Sequence, residues 1–334
     1  MKVFVNGLGR IGKLALRDLL DRPGGVEIVG VNDAAGDAAQ HALLMEFDSV
    51  HGRWARACSS EGDALRLGDA RVPFTAHRDV AALPLQGVDL VIDCTGAHKT
   101  ADRLAPYRAA GAGRVLVSAP VAGGEALNLV YGVNHRLYDG SQRLVTAASC
   151  TTNCLAPVIA VLRERFGLRH GSFTTIHDVT NTQTIADRAH KDPRRARSAL
   201  LNLVPTTTGS AKAIVDIFPD LEGRLSGHAI RVPLLNASLT ECALEMEVDV
   251  TAAAVNDAFR AAAAGEMAGI LGVEDRPLVS SDYRGDRRSA VIDALSTVVV
   301  RNRHLKLCAW YDNEFGYACR LADIARLMAG TPVA

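Results

Sequence analysis

The chain has 334 residues, of which 48% are hydrophobic and 22% charged, with 37 Lys and Arg balanced by 37 Asp and Glu. At roughly 150 residues per domain this length predicts about two hydrophobic cores, and the apolar fraction excludes a disordered chain. Zero net charge provides no global field for nucleic acid or an acidic membrane surface, so any anion site must be local.

The first apolar run, Val3-Phe4-Val5, is too short for a secretory signal, and no stretch reaches the ~18 apolar residues of a membrane span. A cytoplasmic protein with no membrane partner is expected. That run reads as a strand, followed by Gly7, Gly9 and Gly12 in G-x-G-x-x-G spacing and by an amphipathic helix from Ile11 to Leu20. A second strand, Glu27 to Val31, ends at Asn32-Asp33 and places an acid about 20 residues past the third glycine. Together these form a dinucleotide-binding unit. The glycines allow the tight turn, the approach of backbone to a pyrophosphate and close helix–strand packing, while the helix start supplies N–H groups and positive dipole. Asp33 at the strand end suits both ribose hydroxyls of NAD and repels the 2′-phosphate of NADP. Leu90-Val91-Ile92, Val115-Leu116-Val117 and Leu144-Val145 lack polar alternation, as parallel strands covered on both faces do. Thr95 and Ser118 follow the first two, where doubly wound sheets bind ligands.

Ser149-Cys150-Thr151 then opens a helical pattern through Leu162, which sets Cys150 at a helix N-terminus, a position that favours thiolate over thiol. Cys154, one turn deeper, reads as structural. His177 ends the strand-like run from Ser172 and is the candidate base. The seven cysteines include no C-x-x-C pair and no cluster with histidine, so neither a disulfide scaffold nor a metal site is expected.

Beyond about residue 150 the pattern turns antiparallel. Cys242, Leu244, Met246, Val248 and Val250 alternate with acids as a half-buried strand. Val255 to Ala264 reads as a helix, Thr297 to Val300 and Leu305 to Trp310 as a hairpin, and Gly316 to Met328 as an amphipathic helix that returns to the first domain.

Asn6-Gly7-Leu8-Gly9-Arg10-Ile11-Gly12, Asp48-Ser49-Val50-His51-Gly52, Ala148 to Cys154, Pro205 to Gly209, Arg231-Val232-Pro233 and Trp310 to Glu314, in order across nearly the whole chain, resemble the phosphorylating glyceraldehyde-3-phosphate dehydrogenase family. The resemblance implies an α/β fold: an NAD-binding Rossmann domain over 1–149, completed by a C-terminal helix at 316–334, and an α+β catalytic domain over 150–315 with a mixed or antiparallel sheet. It implies a homotetramer, Cys150 as nucleophile and His177 as base. Thr180 and Arg231 would hold the C3 phosphate of D-glyceraldehyde 3-phosphate. Ser149, Thr151, Thr208 and Gly209 would hold the attacking phosphate or arsenate. Gly7, Gly9, Arg10, Ile11, Gly12, Asp33, Thr95, Ser118, Asn313 and Tyr317 would bind NAD, with Asn313 fixing the nicotinamide carboxamide.

Departures from that pattern are informative. Where the family usually carries Ser-Tyr-Thr-Asn-Asp-Gln, this chain has Asp178-Val179-Thr180-Asn181-Thr182-Gln183. Thr182 removes a carboxylate near the expected substrate phosphate, and Asp178 raises the His177 pKa if the side chains approach. Arg188-Ala189 replaces a Leu-Pro pair before His190-Lys191-Asp192, in a segment that in this family reaches a neighbouring subunit's adenine ribose, which weakens NADP exclusion. The runs at 175–183 and 231–240 are similar to the subgroup that accompanies an organoarsenical efflux permease, where arsenate replaces phosphate and 1-arseno-3-phosphoglycerate is made for export. Alternatives are an ordinary glycolytic dehydrogenase, an erythrose 4-phosphate or aspartate-semialdehyde dehydrogenase, and a thiol redox sensor at Cys150.

Overall fold

A computed structural model describes residues 1–330. The chain divides into two compact units, one formed by residues 1–149 with the chain from Tyr317 onward, the other by Cys150–Gly316.

In the first unit, β1 (Lys2–Asn6), α1 (Arg10–Asp21) and β2 (Glu27–Asn32) form the expected strand, turn and helix. They are followed by α2 (Ala38–Glu46), β3 (Phe47–Asp48), β4 (Gly52–Arg53), β5 (Cys58–Ser60), β6 (Ala64–Leu67), β7 (Ala70–Thr75) and β8 (Leu90–Asp93). Helix α3 (Ala101–Ala109), β9 (Arg114–Val117), β10 (Leu127–Asn128) and β11 (Leu144–Thr146) complete this stretch. The sheet order β10-β11-β9-β8-β1-β2-β7-β6-β5 is parallel as far as β7, with β6 and β5 added antiparallel. This is a Rossmann sheet with a short antiparallel margin. The chain leaves β1 for β2 on one side and later places β8 on the other, so the order reverses beside the Gly7–Gly12 loop, where doubly wound sheets leave their ligand crevice. Phe4, Val91, Val115 and Val117 from the strands meet Leu104 and Tyr107 of α3 in one core.

The second unit opens with α4 (Cys150–Phe166), then β12 (Leu168–His177), β13 (Val204–Thr207), α5 (Ser210–Ile217), β14 (Leu225–Arg231) and β15 (Ser238–Met246). Helix α6 (Ala252–Ala264), β16 (Leu271–Glu274), β17 (Ala290–Val300) and β18 (His304–Tyr311) follow. Its sheet, β13-β14-β12-β15-β18-β17-β16, is mixed: β12 pairs parallel with β14 and β16 with β17, the rest antiparallel. The period-2 pattern of β15 buries Ser238, Thr240, Cys242, Leu244 and Met246. The strand stops at Met246, however, and Val248 lies exposed beyond it, because Met246 N–H and Val250 N–H turn to Arg303 and Asn302 carbonyls at the β17–β18 turn. The hairpin is longer than expected on its first arm, and Arg301 and Asn302 turn it with positive φ.

Helix α7 (Phe315–Met328) ends short of the expected 334, and residues 331–334 of that expectation lie outside the described residues. From Tyr317 it belongs to the first unit, held by Arg326, whose buried guanidinium pairs with Asp18 of α1 at 2.8 Å. Among the described residues no helix is long and apolar enough to cross a membrane.

A Cβ on Gly12 would fall inside the Gly7 carbonyl oxygen, whereas one on Gly9, at φ −70°, meets nothing within 4 Å. Gly12→Ala is therefore expected to lose about 1–3 kcal/mol in urea unfolding. Gly9→Ala should keep stability within about 0.5 kcal/mol yet bind a dinucleotide more weakly, since the new methyl occupies the open face of the turn.

Candidate active site

Gly7, at φ +97°, turns the chain out of β1, and its N–H donates to Asn32 O at 2.8 Å. Gly9 is the N-cap of α1 and brings no side-chain cap, so the helix start presents backbone alone. A pyrophosphate fits that start in charge and space. Asp33 reaches into the same turn: its Oδ2 accepts from Leu8 N at 2.7 Å and its Oδ1 from Ala35 N at 2.9 Å. The carboxylate thus braces the glycine loop. The Arg10 guanidinium turns away to Asp48, whose carboxyl is held at about 2: burial pushes it up, and Arg10 with the His51 and Val50 amides outweighs that. Ile11 is half-buried at the helix start.

Thr95, exposed just past β8, donates from both N–H and Oγ1 to Asp93 Oδ1, while Ser118, just past β9, donates its N–H to Asp93 O. His98, a residue the sequence reading passed over, sets Nδ1 2.8 Å from Asp93 Oδ2, and this partner raises its pKa. Tyr317 of α7 donates its hydroxyl to Ala148 O at 3.1 Å. Ala148 itself is left-handed, φ 56°, two residues before Cys150.

In the second unit, strand register builds the centre. Parallel pairing sets His177 opposite Arg231, and antiparallel pairing sets Ser238 opposite Tyr311. The ends of β12, β14 and β18 and the start of β15 therefore share one edge of the sheet. Helix α4 begins there with Cys150, whose Sγ lies 3.5 Å from His177 Nε2. The buried Tyr311 hydroxyl joins helix to sheet, 3.1 Å from Thr151 Oγ1 and 2.8 Å from Thr175 Oγ1.

His177 Nδ1 meets Asp178 Oδ1 at 2.8 Å and the Asp178 carbonyl at 3.0 Å, with Arg231 Nη1 2.7 Å away. Asp178 accepts and Arg231 donates at the same nitrogen; the carboxylate and its carbonyl together favour Nδ1–H, and Nε2 faces the sulfur. Nη1 donates in turn to the Asp178 carbonyl at 3.0 Å. Burial alone would lower the His177 pKa, but the hydrogen bond to Asp178 and the contact with Cys150 overturn that and raise it to about 9. Burial raises Asp178 above the usual carboxylate range against the pull of His177. The approach on which the sequence expectation for Asp178 depended is thus present. Asn313, just past β18, donates Nδ2 to Asp178 Oδ2 at 2.8 Å.

The candidate anion ligands fall into distinct settings. Thr180 Oγ1 and Thr182 Oγ1 are 2.9 Å apart on the half-exposed segment after β12. Thr208 Oγ1 accepts from Ser210 N at the start of α5, and Gly209, its N-cap, leaves open space where a Cβ would stand. Thr151, by contrast, is buried and spends its hydroxyl on Tyr311 rather than on the surface. Ser149 is half-buried at the end of the first unit. Arg195, missed by the sequence reading, donates Nε to Thr206 Oγ1 at 2.9 Å, and its charge lowers the Arg231 pKa after burial has done so. Arg195 Nε also lies 3.7 Å from Asp192 Oδ2, to which Thr206 Oγ1 donates at 2.9 Å, so an acid holds the guanidinium beside the Thr-Thr-Gly turn. No local motif marks Arg195; only the fold of 184–206 brings it there.

All seven cysteines carry free thiols. Burial pushes Cys58 and Cys308 up to about 11 and Cys94 up to about 12, and raises Cys154 and Cys242 well above the ordinary thiol range.

A folded-state pKa raised above the ordinary value of about 6.5 means that His177 contributes stability that is full below pH 6.5 and lost as pH rises through about 9. Urea unfolding of the wild type should therefore show a decline between pH 6.5 and 9 that His177→Asn lacks. Equal slopes for the two proteins would contradict the raised pKa.

Two family models match the chain: residues 1–101 match "Glyceraldehyde 3-phosphate dehydrogenase, NAD binding domain", and residues 149–313 match "Glyceraldehyde 3-phosphate dehydrogenase, C-terminal domain". The chain is 50% identical over 333 residues to glyceraldehyde-3-phosphate dehydrogenase 3 of Nostoc sp., covering 98% of each. It is 45% identical over 332 residues to glyceraldehyde-3-phosphate dehydrogenase 1 of Bacillus subtilis, again 98% of each, and 42% identical over 335 residues to the glyceraldehyde-3-phosphate dehydrogenase of Zymomonas mobilis, 99% of each.

Proposed function

We propose, from the premise that the chain belongs to the glyceraldehyde-3-phosphate dehydrogenase family, that Cys150 and His177 oxidise D-glyceraldehyde 3-phosphate to an acyl-enzyme which an inorganic anion then takes. The chain is an NAD-dependent dehydrogenase, and NAD is its cofactor. The observation that supports these roles best is the 3.5 Å approach of Cys150 Sγ and His177 Nε2 at the start of α4.

The chemistry follows from that pair. The sulfur attacks the aldehyde carbon, a C–S bond forms, and the carbonyl oxygen takes a proton from His177 to give a thiohemiacetal. His177 then removes the hydroxyl proton as hydride departs from the same carbon, leaving a thioester on Cys150. Bound NAD supplies the hydride acceptor. The Cys150 backbone N–H at the helix start steadies the negative oxygen in each step. An anion oxygen finally attacks the thioester carbon, the C–S bond breaks, and Cys150 leaves as thiolate.

Thr180, Thr182 and Arg231 are assigned to the C3 phosphate, and Ser149, Thr151, Thr208, Gly209 and Arg195 to the attacking anion. For Thr151 the backbone N–H is the suitable donor, since its hydroxyl is engaged. Gly7, Gly9, Arg10, Ile11 and Gly12 are assigned to the pyrophosphate, Asp33 to the ribose, Thr95, Ser118 and Tyr317 to the cofactor crevice, and Asn313 to the carboxamide. The region 1–149 with the terminal helix holds the cofactor, and 150–315 carries the chemistry. A cytoplasmic homotetramer is the assembly that this family reading implies.

The acyl acceptor is phosphate or arsenate. Arsenate has the same charge and nearly the same shape, so hydroxyls and guanidiniums that suit one suit the other. The runs at 175–183 and 231–240, with Thr182 where a carboxylate is usual, are compatible with a role in arsenate resistance through 1-arseno-3-phosphoglycerate. An ordinary phosphate-dependent role fits the same residues equally well.

Purified protein should form NADH from NAD and D-glyceraldehyde 3-phosphate with either anion, and Cys150→Ser should lower the rate about 10³-fold or more. A higher catalytic efficiency for arsenate than for phosphate supports specialisation, and a gene neighbourhood without an arsenic permease or regulator removes the resistance role. Thr182→Asp should raise the Michaelis constant for the phosphorylated aldehyde. Catalytic efficiency with NAD should exceed that with NADP, and the reverse order would refute the assignment of Asp33.

A further inference from the structure

Asp178 is fully buried at the end of β12, and three donors converge on its two carboxylate oxygens. His177 Nδ1 approaches Oδ1 at 2.8 Å, Ser238 Oγ approaches Oδ1 at 3.2 Å, and Asn313 Nδ2 approaches Oδ2 at 2.8 Å. The Asp178 N–H donates back to Ser238 Oγ at 3.2 Å, and Ser238 Oγ also lies 3.3 Å from Asn313 Oδ1. These contacts come from β12, β15 and the turn after β18, so the carboxylate is a junction of three strand ends.

We propose that Asp178 is a positioning residue that governs two partners at once, the ring of His177 and the amide of Asn313. An ionised carboxylate only accepts, which imposes an orientation on each donor. Asp178 draws Nδ1–H toward itself against the Arg231 N–H 2.7 Å from the same nitrogen, which leaves the lone pair or second proton of His177 on Nε2, toward Cys150. Nδ2 of Asn313 must likewise face Asp178, which fixes the sense of the amide; its Oδ1 lies 3.3 Å from Ser238 Oγ and keeps a second lone pair for a carboxamide N–H. A serine at 178, the residue the family pattern carries, could donate or accept and would impose neither orientation. The base and the amide are thereby set by one charge. The inference rests on the reading of Cys150 and His177 as nucleophile and base.

The other charged or titratable groups around His177 are Cys150 from α4, Arg231 from β14 and Tyr311 from β18, and Glu314 adds its charge near Asp178. Arg231 opposes a proton on the ring, and Asp178 is the carboxylate in direct contact with it.

The test compares wild type, Asp178→Asn and Asp178→Ser, each full length, in two measurements. The first is the pH profile of Cys150 alkylation by iodoacetamide, which needs neither substrate nor cofactor. The second is the Michaelis constant for NAD set against kcat. Both variants should move the alkylation profile upward by a unit or more, with at least tenfold slower reaction at pH 6.5, and raise the NAD constant several-fold. Superimposable alkylation profiles in folded variants would overturn the proposal, as would a moved profile with an unchanged NAD constant, which denies the second partner. If Asp178→Asn fails to fold, Asp178→Ser carries the test alone, because serine is smaller and its hydroxyl can still bond within the buried cluster. Absence of NADH formation by the wild type would sink the functional reading while leaving the alkylation comparison intact, so the two failures are distinguishable.

Discussion

The parallel pairing of β12 with β14, inside a sheet whose other central pairings are antiparallel, is the constraint on which the site depends. It sets His177 level with Arg231, and the antiparallel neighbours then set Ser238 level with Tyr311 on the same edge. A slip of one residue would turn every side chain on β12 to the opposite face, taking Phe173, Thr175 and His177 out of the interior together. The buried apolar residues of β12 and β15 therefore hold the chemistry in place. Packing chooses the register, and the register chooses which polar groups meet.

The polar groups that meet there are costly to bury. Asp178 and His177 sit in an interior where an isolated charge is disfavoured by several kcal/mol, so each persists only because its neighbours satisfy it. The first unit uses the same physics for another end. Asp18 and Arg326 form a buried pair, extended by Asp323, that joins α7 to α1. One cluster fastens two helices; the other has a thiol on its border.

Features set by local pattern could be read from the residues alone. The glycine spacing and Asp33, the unalternating strands, the start of α4 at Cys150 and the alternation of β15 as far as Met246 are of this kind. The short strands β5 and β6 were not legible, because three or four residues at a sheet margin carry no periodicity. Nor was the end of β15, where the alternation runs on through Val248 after the backbone has turned to the neighbouring hairpin. At the site, Cys150 and His177 were legible as types in context, but their approach depends on helix and sheet meeting at one edge. Arg195 and Ser238 were invisible for a stronger reason: each acts through a residue 11 to 75 positions away, and only tertiary structure brings those residues together. His177 and Asp178 are adjacent in the chain, which is why their contact could be anticipated.

Ala148 stands two residues before Cys150 with φ 56°, and its carbonyl is gripped by the Tyr317 hydroxyl. A side chain in that region costs roughly 1–2 kcal/mol, a strain glycine would avoid. Glycine would also let the elbow swing through both signs of φ. With alanine clamped in a conformation it resists, the turn has few other conformations open to it. Local discomfort here does the work of a gimbal lock: it exchanges a little stability for one fixed bend at the edge of the first unit.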